Sequence, residues 1–584
     1  MKKINLYFII TSLINSFLLI KITSGYNNLR FLIGDLIVIL IVVAFSYFFK
    51  KRKLYFLIWS IILSVLCCIN SLYYNEFNDF MSIKLISILS QAFALPSEAT
   101  TDVFEILDFI FIWQILVMLI VYIKDKFEYN RSYRDFKSHI VSSFVLLVFL
   151  ILSMNSNDIY RISHEWNKVY KANNFGIYSY QVSDVFHLIK SNFDSISEKE
   201  LNEMNEFYET KEVVTNEYTN IFKDKNVIFI HGESIQSLFI DEEINNQSIM
   251  PNLSRLKEEG LYFSNFYSQE SVGTSSDTEL TLNNSILPVG VGTAFVSYDN
   301  NTYQALPKKL SELGYYTFSM HGNTCEYWNR EVMHKNLGYN HFYCYNDYDL
   351  SDTLGLGLSD KSFFSQSADI IKSVSDKKFS ATLIMLSNHA PFDTNEQVNF
   401  DVGYMEGTKL GNYIKLLHYV DEAIGEFINK LDRLDLLDDT VIVIYGDHDA
   451  KIKVKDYEKY FDEEIDFYEY EKISRVPLII WTKDNLVSGE VDEIMGMIDV
   501  FPTLGNMFGF SSNYSLGNDI FSTNDNIVVF PNGNWVTNKV YYNNQNSEYK
   551  LYEEVDKNYL KEKEEYAKKI VEISNNLIKY NLMK

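Results

Sequence analysis

The sequence predicts two units of different class: an N-terminal α-helical membrane domain of five helices, and a C-terminal α/β domain with a mostly parallel central sheet. Three observations carry this. Apolar runs of bilayer-crossing length crowd into the first 154 residues. The charge balance then changes sign, from 14 Lys+Arg against 10 Asp+Glu in residues 1–154 to 38 against 67 in the remainder. Beyond residue 226, short continuous apolar runs alternate with amphipathic helical patterns, as expected of strands covered on both faces. The chain of 584 residues exceeds one ordinary domain, and its 47% hydrophobic composition argues for folded matter. The acidic part excludes a nucleic-acid partner, whose phosphates it would repel. An anionic substrate there needs local positive charge from a metal or an arginine.

The apolar runs 4–22, 32–49 and 54–73 each match a crossing helix. The run 103–123 is a fourth, with Glu105 and Asp108 near its start, and 140–154 is a short fifth. Lys2 and Lys3, the run Lys50-Lys51-Arg52-Lys53, and Lys124, Lys126, Arg131, Arg134 and Lys137 form three basic clusters. Five crossings put all three clusters on the inside and everything after Met154 outside. The run 80–95, which carries Lys84, is therefore read as a helix lying on the outer face. The first run is not followed by a small-residue cleavage pattern and is read as an anchor. Cys67 and Cys68 read as packing residues. Cys325 and Cys344 are 19 positions apart, and an outside location permits a disulfide that spacing alone does not decide.

Residues 155–225 read as a helical linker, with a break at Asn173-Asn174-Phe175-Gly176 and a charged, solvated helix over 197–211. Within it, 182–193 has apolar residues at helical spacing and suits a membrane surface. In 226–584, strands are expected at 227–230, 316–320, 380–386, 440–444 and 476–481. Helices are expected at 252–259, 306–313, 362–373 and 411–431. Ligands of such sheets collect at the carboxyl ends of the strands. There the sequence places Glu233, His321, His389, and the pair Asp447-His448.

The hydroxyl-rich stretch Gly273-Thr274-Ser275-Ser276-Asp277-Thr278-Glu279 lies between two apolar strand candidates and starts a helix. A hydroxyl at a helix N-terminus, near a carboxylate, an Asp and a His, is what metal-assisted attack on a phosphate needs. His418, within an amphipathic helix, and His334 and His341 read as structural. Asp499 to Leu504 read as support at a helix start.

The motifs His231-Gly232-Glu233-Ser234, Gly273 to Glu279, Met320-His321-Gly322-Asn323, Tyr327-Trp328-Asn329-Arg330, Leu386 to Phe392, Tyr445-Gly446-Asp447-His448 and Asp499 to Leu504 follow in this order behind five apolar runs. In this the chain resembles the lipoteichoic acid synthase family of membrane-anchored phosphoglycerol transferases, in the alkaline phosphatase superfamily. The resemblance implies an extracellular sulfatase-like catalytic domain over 226–584. By matching position it implies one divalent metal, usually manganese, with Mg2+ and Zn2+ as alternatives, held by Glu233, Ser275, Asp447 and His448. It implies Ser275 as the nucleophile, and substrate binding by His321, Trp328, Arg330, His389 and Thr274. Arg330 suits two phosphate oxygens, Trp328 the floor of a small polyol pocket, and His389 a leaving-group proton.

The chain departs from the family pattern at several points. Ser275 stands where Thr is usual, Thr274 where Lys is common, Asn323 where Asp is frequent, and Asp449 where an aromatic is more usual. The activity implied is transfer of phosphoglycerol from phosphatidylglycerol, through a phosphoglycerol-serine ester, to an acceptor. That acceptor is a polyglycerolphosphate chain, a glycolipid or another wall polymer. The alternatives are a phosphoethanolamine transferase, a sulfatase or phosphodiesterase-type hydrolase, and a non-catalytic regulator keeping the fold. A formylglycine sulfatase needs Pro and Arg after its nucleophile, and Ser275 to Glu279 contains neither.

Overall fold

The computed structural model describes residues 3–26, 28–77, 79–88, 106–124, 131–164, 167–191, 194–211 and 214–584. The chain separates into two compact units, Met1–Asp194 and Ser195–Lys584. Lys2, Glu105 and Lys126 of the basic and acidic positions named above lie outside the described residues.

The first unit contains helices α1 (Lys3–Ile22), α2 (Phe31–Phe45), α3 (Arg52–Phe77), α4 (Trp113–Lys124) and α5 (Tyr133–Leu152). Among the described residues, Lys3–Ile22, Phe31–Phe48, Arg52–Asn75 and Tyr133–Leu152 are long and apolar enough to cross a membrane. The run expected at 103–123 begins outside the described residues, then forms a 3-10 stretch, Ile106–Ile112, that leads into α4. Of the run expected to lie on the surface, Ile83–Ile88 is a 3-10 stretch and 89–95 lie outside the described residues. Three polar side chains inside this bundle are linked to one another: Asn15 Nδ2 donates to Gln114 Oε1 at 2.8 Å, and Gln114 Nε2 to Ser12 Oγ at 2.8 Å. An apolar medium offers no water to do so.

Residues 155–194 belong to this unit as α6 (Ser156–Ser163), α7 (Lys168–Phe175) and α8 (Ile177–Ser191). Their apolar residues Val169, Ala172, Ile177, Tyr178 and Tyr180 join the core of the spans. The charged helix α9 (Glu198–Glu209) belongs to the second unit. Its N-terminus is closed by a capping box between Ser197 and Glu200, and it buries Met204 and Phe207.

The second unit is built on eight strands: β1 (Asn226–Gly232), β2 (Leu261–Phe263), β3 (Tyr316–His321), β4 (His341–Tyr343), β5 (Phe379–Ile384), β6 (Thr440–Gly446), β7 (Leu478–Thr482) and β8 (Gly489–Val491). Their order across the sheet is β8-β2-β7-β6-β1-β5-β3-β4. β7 runs against both neighbours, and the other pairings are parallel. The strands expected at 227–230, 316–320, 380–386, 440–444 and 476–481 correspond to β1, β3, β5, β6 and β7. Alternate residues explain their unbroken hydrophobicity. Ile228, Ile230, Leu383, Ile442 and Ile444 enter one core, while Val227, Phe229, Val441 and Val443 enter a second on the opposite face.

The covering helices include α10 (Pro251–Glu259), α11 (Thr274–Asn284), α12 (Leu306–Glu312), α13 (Arg330–Leu337), α14 (Asp360–Val374), α15 (Lys409–Arg433) and α16 (Met497–Phe508). A separate four-stranded antiparallel sheet follows, from Val528–Val529 to Glu548–Leu551. Its strands of two to four residues are too short for a periodicity to be read.

Register places the functional edge. Gly446 pairs with Gly232, and His231 with both Tyr445 and Ile384, which in turn pairs with His321. Four adjacent strands thus end in one row, and the loops after them begin side by side.

Candidate active site

Glu233 follows β1 and Asp447-His448 follows β6. One ligand atom from each of these three buried residues lies within 4.8 Å of the others. Asp447 is oriented from several sides: Oδ1 accepts the Ser234 and His448 backbone N–H groups, both at 2.8 Å, and Oδ2 lies 3.1 Å from His231 Nε2. His448 Nδ1 is 2.7 Å from the Asp449 carbonyl, which turns Nε2 inward. Asn388 Nδ2 donates to the Glu233 carbonyl at 3.0 Å and fixes the backbone of that carboxylate.

The start of α11 brings the hydroxyl. Ser275 Oγ lies 3.4 Å from Glu233 Oε2 and 3.4 Å from His448 Nε2. Ser276 Oγ instead donates to the Gly273 carbonyl at 2.8 Å and meets Thr293 Oγ1 at 3.1 Å. The helix start is held at both sides. Asp277 Oδ2 accepts the Ser271 and Gly273 N–H groups, and Thr278 Oγ1 donates to the Asp447 carbonyl at 2.7 Å. Thr274 is half-buried with φ 40°, a left-handed conformation that costs a non-glycine residue on the order of 1–3 kcal/mol and is found where surroundings enforce it.

A divalent cation fits this donor set. Two carboxylates, one imidazole and one hydroxyl converge with their other atoms already bonded to the protein, the arrangement of hard or borderline ligands that manganese, magnesium and zinc accept. Burial alone would push the His448 imidazole down, but the Asp447 and Glu233 carboxylates outweigh it and lift it to about 9. The cluster therefore already attracts positive charge, and a metal binding there would displace that proton.

Next to the cluster stands a second buried group. Glu279 lies one helical turn after Ser275, so the two share a face of α11, with Cβ atoms ~5–6 Å apart. Its Oε1 accepts Arg330 Nε at 2.9 Å and Nη2 at 2.8 Å, and its Oε2 meets His334 Nε2 at 2.6 Å. Burial would raise the Glu279 carboxyl, but Arg330 and His334 hold it well below the usual carboxylate range. Arg330 Nη1 lies 3.2 Å from His321 Nε2, and His321 Nδ1 lies 3.1 Å from the Ile384 carbonyl. His321 is thus a neutral imidazole donating from Nδ1 and accepting at Nε2. Burial and the Arg330 charge both hold its pKa well below the ordinary histidine value.

The sequence positions Glu233, Ser275, Asp447, His448, His321 and Arg330 are therefore brought together by direct contacts or through Glu279. Thr274, Trp328 and His389 are half-buried, and among the described residues the side chains of Trp328 and His389 make no hydrogen bond to the cluster. Trp328 and Asn329 have φ 56° and 58°, a second left-handed turn, located just before α13. Cys325 and Cys344 form a disulfide with Cα atoms 5.4 Å apart, tying this turn to the chain just beyond β4. Of the histidines read as structural, His334 bonds Glu279 and Ser319 Oγ, His418 Nδ1 meets the Ile249 carbonyl, and His341 is exposed on β4. Asp499 accepts the Gly496 N–H at the start of α16. Glu279, which sequence reasoning missed, had one usable signal: a Glu four residues after a candidate nucleophile, on the same helical face.

Comparison with known proteins agrees with this architecture. The family model described as Sulfatase matches residues 225–510, and that described as Lipoteichoic acid synthase N-terminal domain matches residues 2–196. The lipoteichoic acid synthase of Staphylococcus aureus is 30% identical over 585 residues, spanning 96% of this chain and 90% of that protein. That of Staphylococcus saprophyticus is 32% identical over 551 residues, spanning 89% and 84%. The crystal structure of a lipoteichoic acid synthase from Listeria monocytogenes superposes with a TM-score of 0.60 at 26% identity, covering 65% of this chain and 98% of that one. A protein of the alkaline phosphatase superfamily from Vibrio parahaemolyticus, 19% identical with a TM-score of 0.53 over 67% of this chain and 98% of its own, shares the fold.

Proposed function

The chain belongs to the lipoteichoic acid synthase family, and we propose that it transfers phosphoglycerol from phosphatidylglycerol to a polyglycerolphosphate, glycolipid or related wall-polymer acceptor. The observation that carries this is the convergence of Ser275 with Glu233, Asp447 and His448 at the strand ends, one helical turn from the Arg330-Glu279 pair. Ser275 Oγ attacks phosphorus, the bond to the diacylglycerol oxygen breaks, and phosphoglycerol remains as a serine ester. An acceptor hydroxyl then attacks the same phosphorus and frees Ser275. Arg330 binds phosphate oxygens, His321 borders the glycerol pocket and orients Arg330 by accepting from its Nη1 at Nε2, Trp328 and Thr274 line the polyol side, and His389 passes a proton to the leaving oxygen. Glu233, Ser275, Asp447 and His448 would hold one divalent metal, manganese by family resemblance. When bound it lowers the pKa of the serine hydroxyl and neutralises charge developing on the phosphoryl oxygens.

The proposed topology has five crossings, with α4 and its preceding 3-10 stretch as the fourth, an inside N-terminus and an outside catalytic domain. The Cys325–Cys344 disulfide supports the outside location, since such bonds persist in oxidising surroundings.

The purified full chain, given headgroup-labelled phosphatidylglycerol without acceptor, should release diacylglycerol and carry one phosphoglycerol on Ser275 by peptide mass spectrometry. Chelation should abolish both, and readdition of manganese restore them. Turnover that survives rigorous chelation, or label found on another residue, would overturn the reading.

A further inference from the structure

Helix α8 has two faces of opposite character. One is locked into the bundle. Asp35, on α2, accepts the Tyr178 and Ser179 backbone N–H groups at 2.8 and 3.1 Å and so caps the start of α8. The crossing leaves no room for side chains: a Cβ on Gly34 would lie 1.8 Å from the Phe175 carbonyl oxygen, and one on Gly176, at φ 95°, 2.2 Å from Asp35 Oδ1. Further along, Gln181 Nε2 donates to the Met81 carbonyl at 2.8 Å, and Asp184 accepts Ser82 Oγ and the Ile83 N–H. Residues 81–83 follow the end of α3. In the segment between α1 and α2, Ser24 and Tyr26 donate to Asn173 and Asn174. These contacts lay α8 across the end of the bundle where α1 and α3 finish and α2 begins.

A second face carries Val182, Val185, Phe186 and Ile189, at the i, i+3, i+4, i+7 spacing of one stripe. Phe186 is 66% exposed and Val182 and Ile189 57% each, while Asp184 on the inner face is buried. Asp184 is consumed inside, so Lys190 at the rim is the exposed full charge of the helix. The sides of α1 and α3 likewise expose Ile10, Ile14, Ile58, Ile62 and Ile69, residues that a bilayer would cover.

We propose that α8 is a membrane-interface helix, its Val182-Val185-Phe186-Ile189 stripe seated among acyl chains at headgroup level and Lys190 among anionic phosphates. Three arguments favour lipid as the occupant. The unit that carries the stripe also exposes the apolar sides of α1 and α3, so it already has a surface that lipid would cover. The stripe's exposed charge complements an anionic headgroup layer. A second copy of the chain is disfavoured, because four side chains fall far short of the ~20 residues a side that a stable interface buries.

The test places a spin label at Phe186→Cys in a Cys68→Ala background, Cys67 being buried, with Glu203→Cys on α9 as aqueous reference. The full chain is reconstituted into vesicles of phosphatidylglycerol and phosphatidylcholine. Collisions with oxygen should exceed those with a water-soluble nickel chelate several-fold at position 186, and the order should reverse at 203. A label at 186 that the chelate reaches as readily as at 203, or that neither reagent reaches, overturns the proposal. In a second arm, Phe186→Glu with Ile189→Glu should lower turnover of phosphatidylglycerol in vesicles at least tenfold while leaving activity in detergent micelles within about twofold. Equal loss in micelles would assign the stripe to packing and overturn the proposal. The spin-label arm needs no activity, so its result is independent of the enzymatic reading.

Discussion

Three hydroxyls compete at the start of α11, and a rotation of about 100° per residue separates their directions. Ser276 is spent on Gly273 and Thr293, which leaves Ser275 facing Glu233 and His448. Ser275→Ala should therefore cost several orders of magnitude in turnover of labelled phosphatidylglycerol. Ser275→Thr, which presents the same oxygen with one more methyl, should keep substantial activity. Thr274→Ala should cost about 1 kcal/mol, the scale of one hydrogen bond. An alanine at 275 that still turns over would shift the nucleophile to a neighbour. Glu279 poses a different question, because its charge is buried against Arg330 and His334. Glu279→Gln should destabilise the protein by about 3–5 kcal/mol, since it strands a buried guanidinium. The double variant Glu279→Gln with Arg330→Gln should be less destabilised than the single one, which denaturant unfolding can decide. Additive losses would mean the pair is not coupled. Ser275, Glu233, Asp447 and His448 stand out in sequence because each follows an apolar strand or loop. Glu279 does not, because a glutamate in the second turn of a helix reads as solvent-facing until Arg330 is seen to cover it.

At the scale of elements, β1, β3, β5 and β6 are legible because both faces of each are buried, so the apolar run marks the strand to within a residue or two at its ends. The antiparallel course of β7 is not legible, because hydrophobicity carries no direction. Nor is the place of α7 and α8: their packing depends on Asp35, some 140 positions away, and on glycines whose meaning appears only at the crossing. The row of strand ends also has a pH consequence. His321, the last residue of β3, is kept neutral by burial and by Arg330, so its folded pKa lies below its unfolded value near 6.5. Below that value the unfolded chain takes up a proton that the folded chain refuses. The stability His321 contributes is thus present above about pH 6.5 and lost as pH falls toward its folded pKa. The midpoint of thermal unfolding should decline on the acid side, and His321→Gln, which removes the titration, should flatten that decline. An unchanged acid limb in the variant would mean other groups dominate it.

For the molecule as a whole, sidedness links the membrane unit to the proposed chemistry, because a donor held in the outer leaflet would require the second unit to be outside. The argument rests on parity. Lys2 and Lys3, residues 50–53 and residues 124–137 share one side only if an even number of crossings separates each from the next. In the proposed topology two crossings lie between the first two clusters, α1 and α2, and two between the second and third, α3 and the stretch from Ile106 to Lys124. In that topology helix α5 carries the chain to the other side. If the run 80–95 crossed as well, the third cluster would lie outside and the second unit inside, where the Cys325–Cys344 disulfide would meet a reducing pool. Charge and redox chemistry thus favour the same proposed count from unrelated residues. A phosphatase reporter that folds only outside should be active when fused after Met154 or after Lys584, and inactive when fused after Lys126. The reverse pattern would remove a crossing and, with it, access of Ser275 to an outer-leaflet lipid. Activity at all three positions would mean that the fusions themselves disturb insertion, which a reporter active only inside, fused at the same three positions, would expose by failing to give the complementary pattern.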